Sequence, residues 1–125
     1  YSIPEYVVPT VSNIGWDASK AVTISTEEKT LNWGSEYKPS ASYFTGATEG
    51  SILKLTFADT ASSVSLRLTN SNWSVTYNSG VTLTDGNDIY YILTESDAEA
   101  WKSSGLTISG ANGTVTGIYF QASVN

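Results

Sequence analysis

The sequence contains no histidine, no cysteine and no methionine in its 125 residues. Because imidazole and thiol groups titrate or attack near neutral pH, their joint absence removes most proton-transfer and nucleophile designs for an enzyme. The absence of cysteine also excludes disulfide bonds and thiolate metal sites, although it does not identify the cellular compartment. A non-catalytic protein is therefore expected.

Basic residues and long hydrophobic runs are also scarce. The chain has 12 acidic and 6 basic side chains, a net charge of -6. This charge repels phosphate backbones and anionic lipids, so we expect no nucleic-acid partner and no membrane partner. No apolar run approaches the roughly 20 residues that a membrane-spanning helix requires. The length fits one domain with its own core, and we expect a monomer.

The first residues differ in composition from the rest. Residues 1–13 contain two of the three prolines, and the chain begins with Tyr1 rather than Met. These features predict a linker-like segment cut from a longer polypeptide, followed by a single domain over residues 14–125.

Aromatic residues are abundant, with four tryptophans and eight tyrosines. Both side chains present a large apolar area with few rotatable bonds, which suits a surface that holds a ligand without reacting with it. The composition therefore favours binding over catalysis.

Apolar residues alternate with polar ones over most of the chain, which is the pattern of half-buried strands. Strands are predicted over residues 21–25, 52–57, 64–69, 73–77, 81–83, 89–93, 106–109 and 114–121. One helix is predicted between a capping Thr94 and a terminating Gly105, with Asp97 completing a capping box. Many short strands with one short helix predict an all-β fold, an antiparallel β-sandwich and most simply a jelly roll.

The acidic residues offer little sign of catalysis or metal binding. Two carboxylates can hydrolyse a glycosidic bond without histidine, but the acidic residues here are better explained by solvation and by a helix N-terminus. The loop at residues 84–88 (TDGND) could assist calcium, yet it lacks a full set of oxygen ligands and needs no metal as a tight turn. We therefore expect no cofactor and no metal.

Two tryptophans are the first candidates for a binding surface. Trp73 follows Asn72 and lies one strand-length after Arg67, so polar side chains flank its ring, although Val75 and Tyr77 share its parity and could bury it. Trp33 shares the parity of the apolar Leu31, but its loop-like neighbours could present it to solvent. We favour binding at both positions.

The remaining aromatic residues are less decisive. Trp101 is expected in the core because it lies beside Ala98 on the inner face of the helix, whereas Trp16 could be buried or exposed. Tyr90 and Tyr119 have outward parity and are secondary candidates.

Several segments resemble a known class of protein. Residues 49–57 (EGSILKLTF), 64–73 (VSLRLTNSNW), 105–110 (GLTISG) and 115–120 (VTGIYF) resemble β-sandwich carbohydrate-binding modules. Such modules are attached to glycoside hydrolases, particularly cellulases of gut and rumen bacteria. The resemblance extends over roughly residues 20–121.

The resemblance implies a non-catalytic domain that binds β-1,4-glucan, mixed-linkage glucan or a related hemicellulose. Trp33 and Trp73 would form a stacking platform, with Arg67, Asn72 and Ser65 as hydrogen-bond partners. It also implies a covalently linked catalytic domain and a secreted, extracellular location, in a cellulosome or at the cell surface. The alternative is a structural or adhesive spacer domain of a secreted or surface protein.

Overall fold

The computed structural model describes residues 9–33, 36–60, 63–70 and 72–122. The described chain contains seven strands and one α-helix, and every strand pair is antiparallel. The strands are β1 (Val22–Ser25), β2 (Lys29–Asn32), β3 (Ile52–Phe57), β4 (Ser65–Thr69), β5 (Val81–Asp85), β6 (Asp88–Ile92) and β7 (Thr107–Gln121). The helix is α1 (Glu95–Ser104), and short 3₁₀ turns cover Ala18–Lys20 and Ala41–Phe44. The predicted all-β antiparallel sandwich with one short helix is confirmed.

Strand β7 organises the sheet. One of its edges pairs with β1 and β2, and its other edge pairs with β3 and β4. The sheet continues from β3 through β6 to β5, whereas β2 and β4 pair with β7 outside this path. Leu66 and Leu68 of β4 line one pocket together with Thr82 of β5 and Tyr91 of β6, so β4 faces β5 and β6 as the second layer of the sandwich.

The predicted break between two strands at residues 110–113 is wrong, because β7 runs through it. A side chain at Gly113 would lie 2.5 Å from Val64, and one at Gly110 would collide with the carbonyl of Ser65. These glycines permit the close approach of a neighbouring strand rather than a turn.

Two other differences concern the strands. The predicted strand at 73–77 is wrong, since only Thr76 forms a bridge there, with Thr69. Strand β2 was not predicted, because its four residues include only one buried apolar side chain, Leu31.

The apolar faces of both layers form one core. Trp101 is fully buried, meets Phe44 edge-on at 5.3 Å and stacks on Tyr91 at 5.9 Å between ring centres. Aromatic pairs in these geometries add to the gain from burial. The predicted core position of Trp101 is confirmed.

The helix has the predicted ends. The Thr94 side chain accepts a hydrogen bond from the Asp97 amide, the reciprocal capping-box bond is present, and Gly105 follows with a φ of 75°. The Tyr91 hydroxyl donates to Asp97 at 2.5 Å, so the same carboxylate joins the helix to β6. Burial is the largest cause that raises the pKa of Tyr91 well above its usual range, and this hydrogen bond raises it further.

The predicted linker at residues 1–13 and single domain at 14–125 stay predictions. Residues 1–8 lie outside the described chain, and Thr10 to Asn13 form a turn in which the Asn13 amide donates to the Thr10 carbonyl. No helix among the described residues is long and apolar enough to cross a membrane.

The helix cap gives a test of the fold. Replacing Thr94 by Ala removes the capping hydroxyl and should lower the free energy of unfolding by about 1 kcal/mol, whereas Thr94→Ser should retain most of it. Urea unfolding followed by circular dichroism measures both. Equal midpoints for wild type and Thr94→Ala would contradict the assigned role of the cap.

Candidate functional site

Trp33 lies directly after β2 and is turned out of the core by its backbone. Its amide donates to the Gly110 carbonyl at 2.8 Å, its φ is 70°, and its side chain is 53% exposed. Regular alternation from the buried Leu31 would have carried this ring inward. A left-handed backbone is rare for a large side chain, and here it breaks the alternation and exposes the indole.

Trp73 lies in a turn that side chains close. Asn70 accepts from the Val75 amide at 3.0 Å and donates to the Ser74 hydroxyl at 2.9 Å. Asn72 accepts from both the amide and the hydroxyl of Ser74. Trp73 again has a left-handed backbone, with a φ of 65°, and is 37% exposed. This turn replaces the predicted strand and leaves the indole at the surface.

The predicted polar partners lie on or beside β4. Ser65 and Arg67 are exposed on the same face of this strand, and Arg67 donates to the Thr76 hydroxyl at 3.4 Å. The carboxamide oxygen of Asn72 is engaged within the turn, so its contribution to a ligand would come from the amide nitrogen.

The N-terminal half of β7 lies between the chain segment that contains Trp33 and the strand that contains Arg67 and Ser65. Arg67 pairs with Ser109 and Ser65 with Ala111 on one edge, while Trp33 bonds to Gly110 on the other. The two segments on either side of β7 are two strand spacings apart, about 10 Å. Trp73 follows the end of β4, beyond Thr69. We call Trp33, Trp73, Arg67, Ser65 and Asn72 the tryptophan surface.

Tyr90 and Tyr119 lie elsewhere, on the outer face of the layer formed by β1, β7, β3, β6 and β5. Each is directly opposite Lys54 of β3 in the strand register. Tyr90 is only 5% exposed, because Trp16 packs edge-on against it at 5.9 Å. Trp16, Lys54 and Tyr119 line a half-open hollow of about 300 Å³, together with Ala18, Ala21, Thr23 and Thr56. Sequence reasoning left Trp16 undecided, and no local pattern placed it here.

The acidic residues form no metal cluster in the part of the chain that the structure describes. The loop at residues 84–88, which was expected to be a tight turn without a metal, is the hairpin between β5 and β6, in which Gly86 has a φ of 58°. A positive φ is what a two-residue hairpin turn requires of its glycine. Asp88, at its end, lies 3.8 Å from the Lys54 ammonium group.

The fold and these residues define a β-sandwich with exposed indoles at Trp33 and Trp73 and with a hollow lined by Trp16 and Tyr119. No protein-family model matches the chain, and no curated protein sequence matches it. Among solved structures, it is similar to SGBP-B of the Bacteroides ovatus mixed-linkage glucan utilization locus, solved in complex with a mixed-linkage heptasaccharide. The TM-score is 0.61 at 17% identity, over 81% of this chain. The chain spans 28% of the length of that protein, and the likeness shows the shared fold.

The left-handed backbone at Trp33 gives a second test. Because a left-handed conformation costs most residues about 1–2 kcal/mol and asparagine less, Trp33→Asn should leave the free energy of unfolding unchanged or raise it by up to about 1 kcal/mol. Trp33→Val should lower it, since a β-branched residue tolerates this backbone poorly. Urea unfolding of both variants measures the difference, and a large loss for Trp33→Asn would show that the indole packs as core.

Proposed function

We propose that this chain is a non-catalytic domain that binds a neutral β-glucan of plant cell walls, with mixed-linkage glucan as the first candidate. The observation that carries the proposal is the pair of exposed tryptophans, Trp33 and Trp73, each held in a left-handed backbone. Strained backbone of this kind is concentrated at binding and catalytic sites.

The chemistry of the tryptophan surface suits a sugar. The face of a pyranose carries polarised C–H groups that stack on an indole, while its rim carries hydroxyls that need hydrogen-bond partners. The exposed Arg67 and Ser65 lie on the strand next to β7 and supply such partners. The net charge of -6 disfavours acidic polymers and leaves neutral glucans unaffected.

The structural neighbour supports the same ligand class, since that protein was solved with a mixed-linkage heptasaccharide. In a longer secreted or cell-surface polypeptide, the domain would keep an attached module near the polysaccharide. An attached glycoside hydrolase would then act at a raised effective concentration of substrate.

The proposal is tested by native affinity electrophoresis through gels that contain barley mixed-linkage glucan, xyloglucan, glucomannan or xylan. The wild type should be retarded by at least one glucan. Trp33→Asn and Trp73→Asn should each reduce this retardation, because central stacking residues dominate such interfaces, and each should weaken binding at the tryptophan surface by about 2 kcal/mol, or roughly thirty-fold.

Tyr43→Ala is the matched control, since Tyr43 is an aromatic residue of similar exposure, 40%, outside the tryptophan surface. Its mobility should equal that of the wild type. If no gel retards the wild type and insoluble cellulose fails to sediment it, the polysaccharide proposal is wrong and a spacer domain is the better interpretation.

A further inference from the structure

The hollow on the outer face contains a row of side chains that the strand register aligns. Thr23 of β1 pairs with Tyr119 of β7, and Tyr119 pairs with Lys54 of β3. These side chains point away from the core, because their neighbours along the strands, such as Leu53 and Phe120, are buried in it. The row therefore crosses three strands on a solvent-facing surface.

Trp16 forms a wall beside this row. Its ring meets Tyr90 edge-on at 5.9 Å, and the Lys54 ammonium lies 5.4 Å from its centre and 5.3 Å from that of Tyr90. Ala18 and Ala21, which follow Trp16 closely in the sequence, also line the hollow. Their small side chains leave the space between Trp16 and Tyr119 open.

The buried end of β7 fixes the position of Trp16. The Gln121 side chain accepts from the Asp17 amide at 2.7 Å and donates to the Gly15 carbonyl at 3.0 Å, so it holds the backbone on both sides of Trp16. Gln121 is 8% exposed. Asp17 then accepts from the amide and hydroxyl of Ser19, and these bonds lower the pKa of Asp17 below its usual value. An aromatic wall fixed before binding loses little entropy when a ligand arrives.

The polar groups of the hollow favour a neutral ligand. Lys54 already has Asp88 at 3.8 Å, which offsets its charge. Thr23 and Thr56 are among the lining residues, and the Thr56 hydroxyl is hydrogen-bonded to that of Thr116 at 2.9 Å. A volume of about 300 Å³ is at the lower end of small-ligand sites.

We propose that the hollow between Trp16 and Tyr119 is a second carbohydrate site, separate from the tryptophan surface, which takes a neutral glycosyl unit of the same β-glucan. The inference rests on the proposed function, because it takes its ligand class from it. Two sites on different faces of one domain would allow it to hold two glucan chains, or two segments of one chain, at the same time.

Isothermal titration with a short mixed-linkage glucan oligosaccharide counts the sites. The wild type should bind two molecules per chain. The Trp16→Ala variant should bind one, and so should the double variant Trp33→Asn with Trp73→Asn. Ala18→Leu, at an exposed position, fills part of the hollow without removing any contact of Trp16 and should weaken the second site at least tenfold.

Circular dichroism and urea unfolding of each variant establish that the fold is retained, and Tyr43→Ala should still bind two molecules. If the wild type binds one molecule, if Trp16→Ala and Ala18→Leu leave that binding intact and if the double variant abolishes it, the second site is wrong and the proposed function stands. If the wild type binds one molecule and only Trp16→Ala and Ala18→Leu weaken that binding, the hollow is the binding site and the tryptophan surface is not. No binding by the wild type to any glucan would overturn both.

Discussion

The rest of the structure depends on the pairing of one strand with four others. Strand β7 is fifteen residues long, and β1, β2, β3 and β4 all bond to it. Both candidate surfaces take their positions from it: Gly110 holds Trp33, Ser109 and Ala111 align Arg67 and Ser65, and Gln121 holds the backbone around Trp16. A shift of one residue along β7 would exchange its inward and outward side chains and displace both surfaces together. Strand β7 alone can therefore fix the position of one candidate surface relative to the other.

The parts of the fold that depend on local chemistry could be predicted from sequence. Alternation alone gave β3 its correct bounds, and a capping threonine with a terminating glycine gave the helix both of its ends. The failures have a common physical cause, which is that a partner distant in sequence decides the outcome. The glycines in β7 indicate a turn until Val64 and Ser65 are placed against them, and β2 has too few apolar residues to be recognised without β7 beside it.

The candidate site residues also divide into those that a local pattern could predict and those whose position a distant partner decides. Outward parity placed Tyr90 and Tyr119 on the correct face, but parity could not show that Trp16 would cover Tyr90, since their contact joins residues far apart in the sequence. At Trp33, parity with Leu31 favoured burial whereas the loop-like neighbours favoured exposure, and the left-handed backbone is what exposes the ring. A left-handed backbone is rarely adopted by a tryptophan, so the sequence could indicate the exposure of Trp33 but not the backbone conformation that produces it. Gln121 was missed because a buried amide that holds a loop has no local pattern.

The two surfaces differ in how their aromatic side chains are held, and the difference bears on function. Trp16 has an ordinary backbone and is fixed by hydrogen bonds to Gln121 on both sides, an arrangement that stabilises the fold as well as the hollow. Trp33 and Trp73 occupy backbone conformations that glycine or asparagine would adopt with less strain. Trp33 is 53% exposed and Trp73 is 37% exposed, so a substantial part of each indole stays in water and burial offsets only part of that strain. The proposed glucan ligand would account for an exposed indole that costs stability, because stacking on a sugar ring would recover the apolar area that the fold leaves in water.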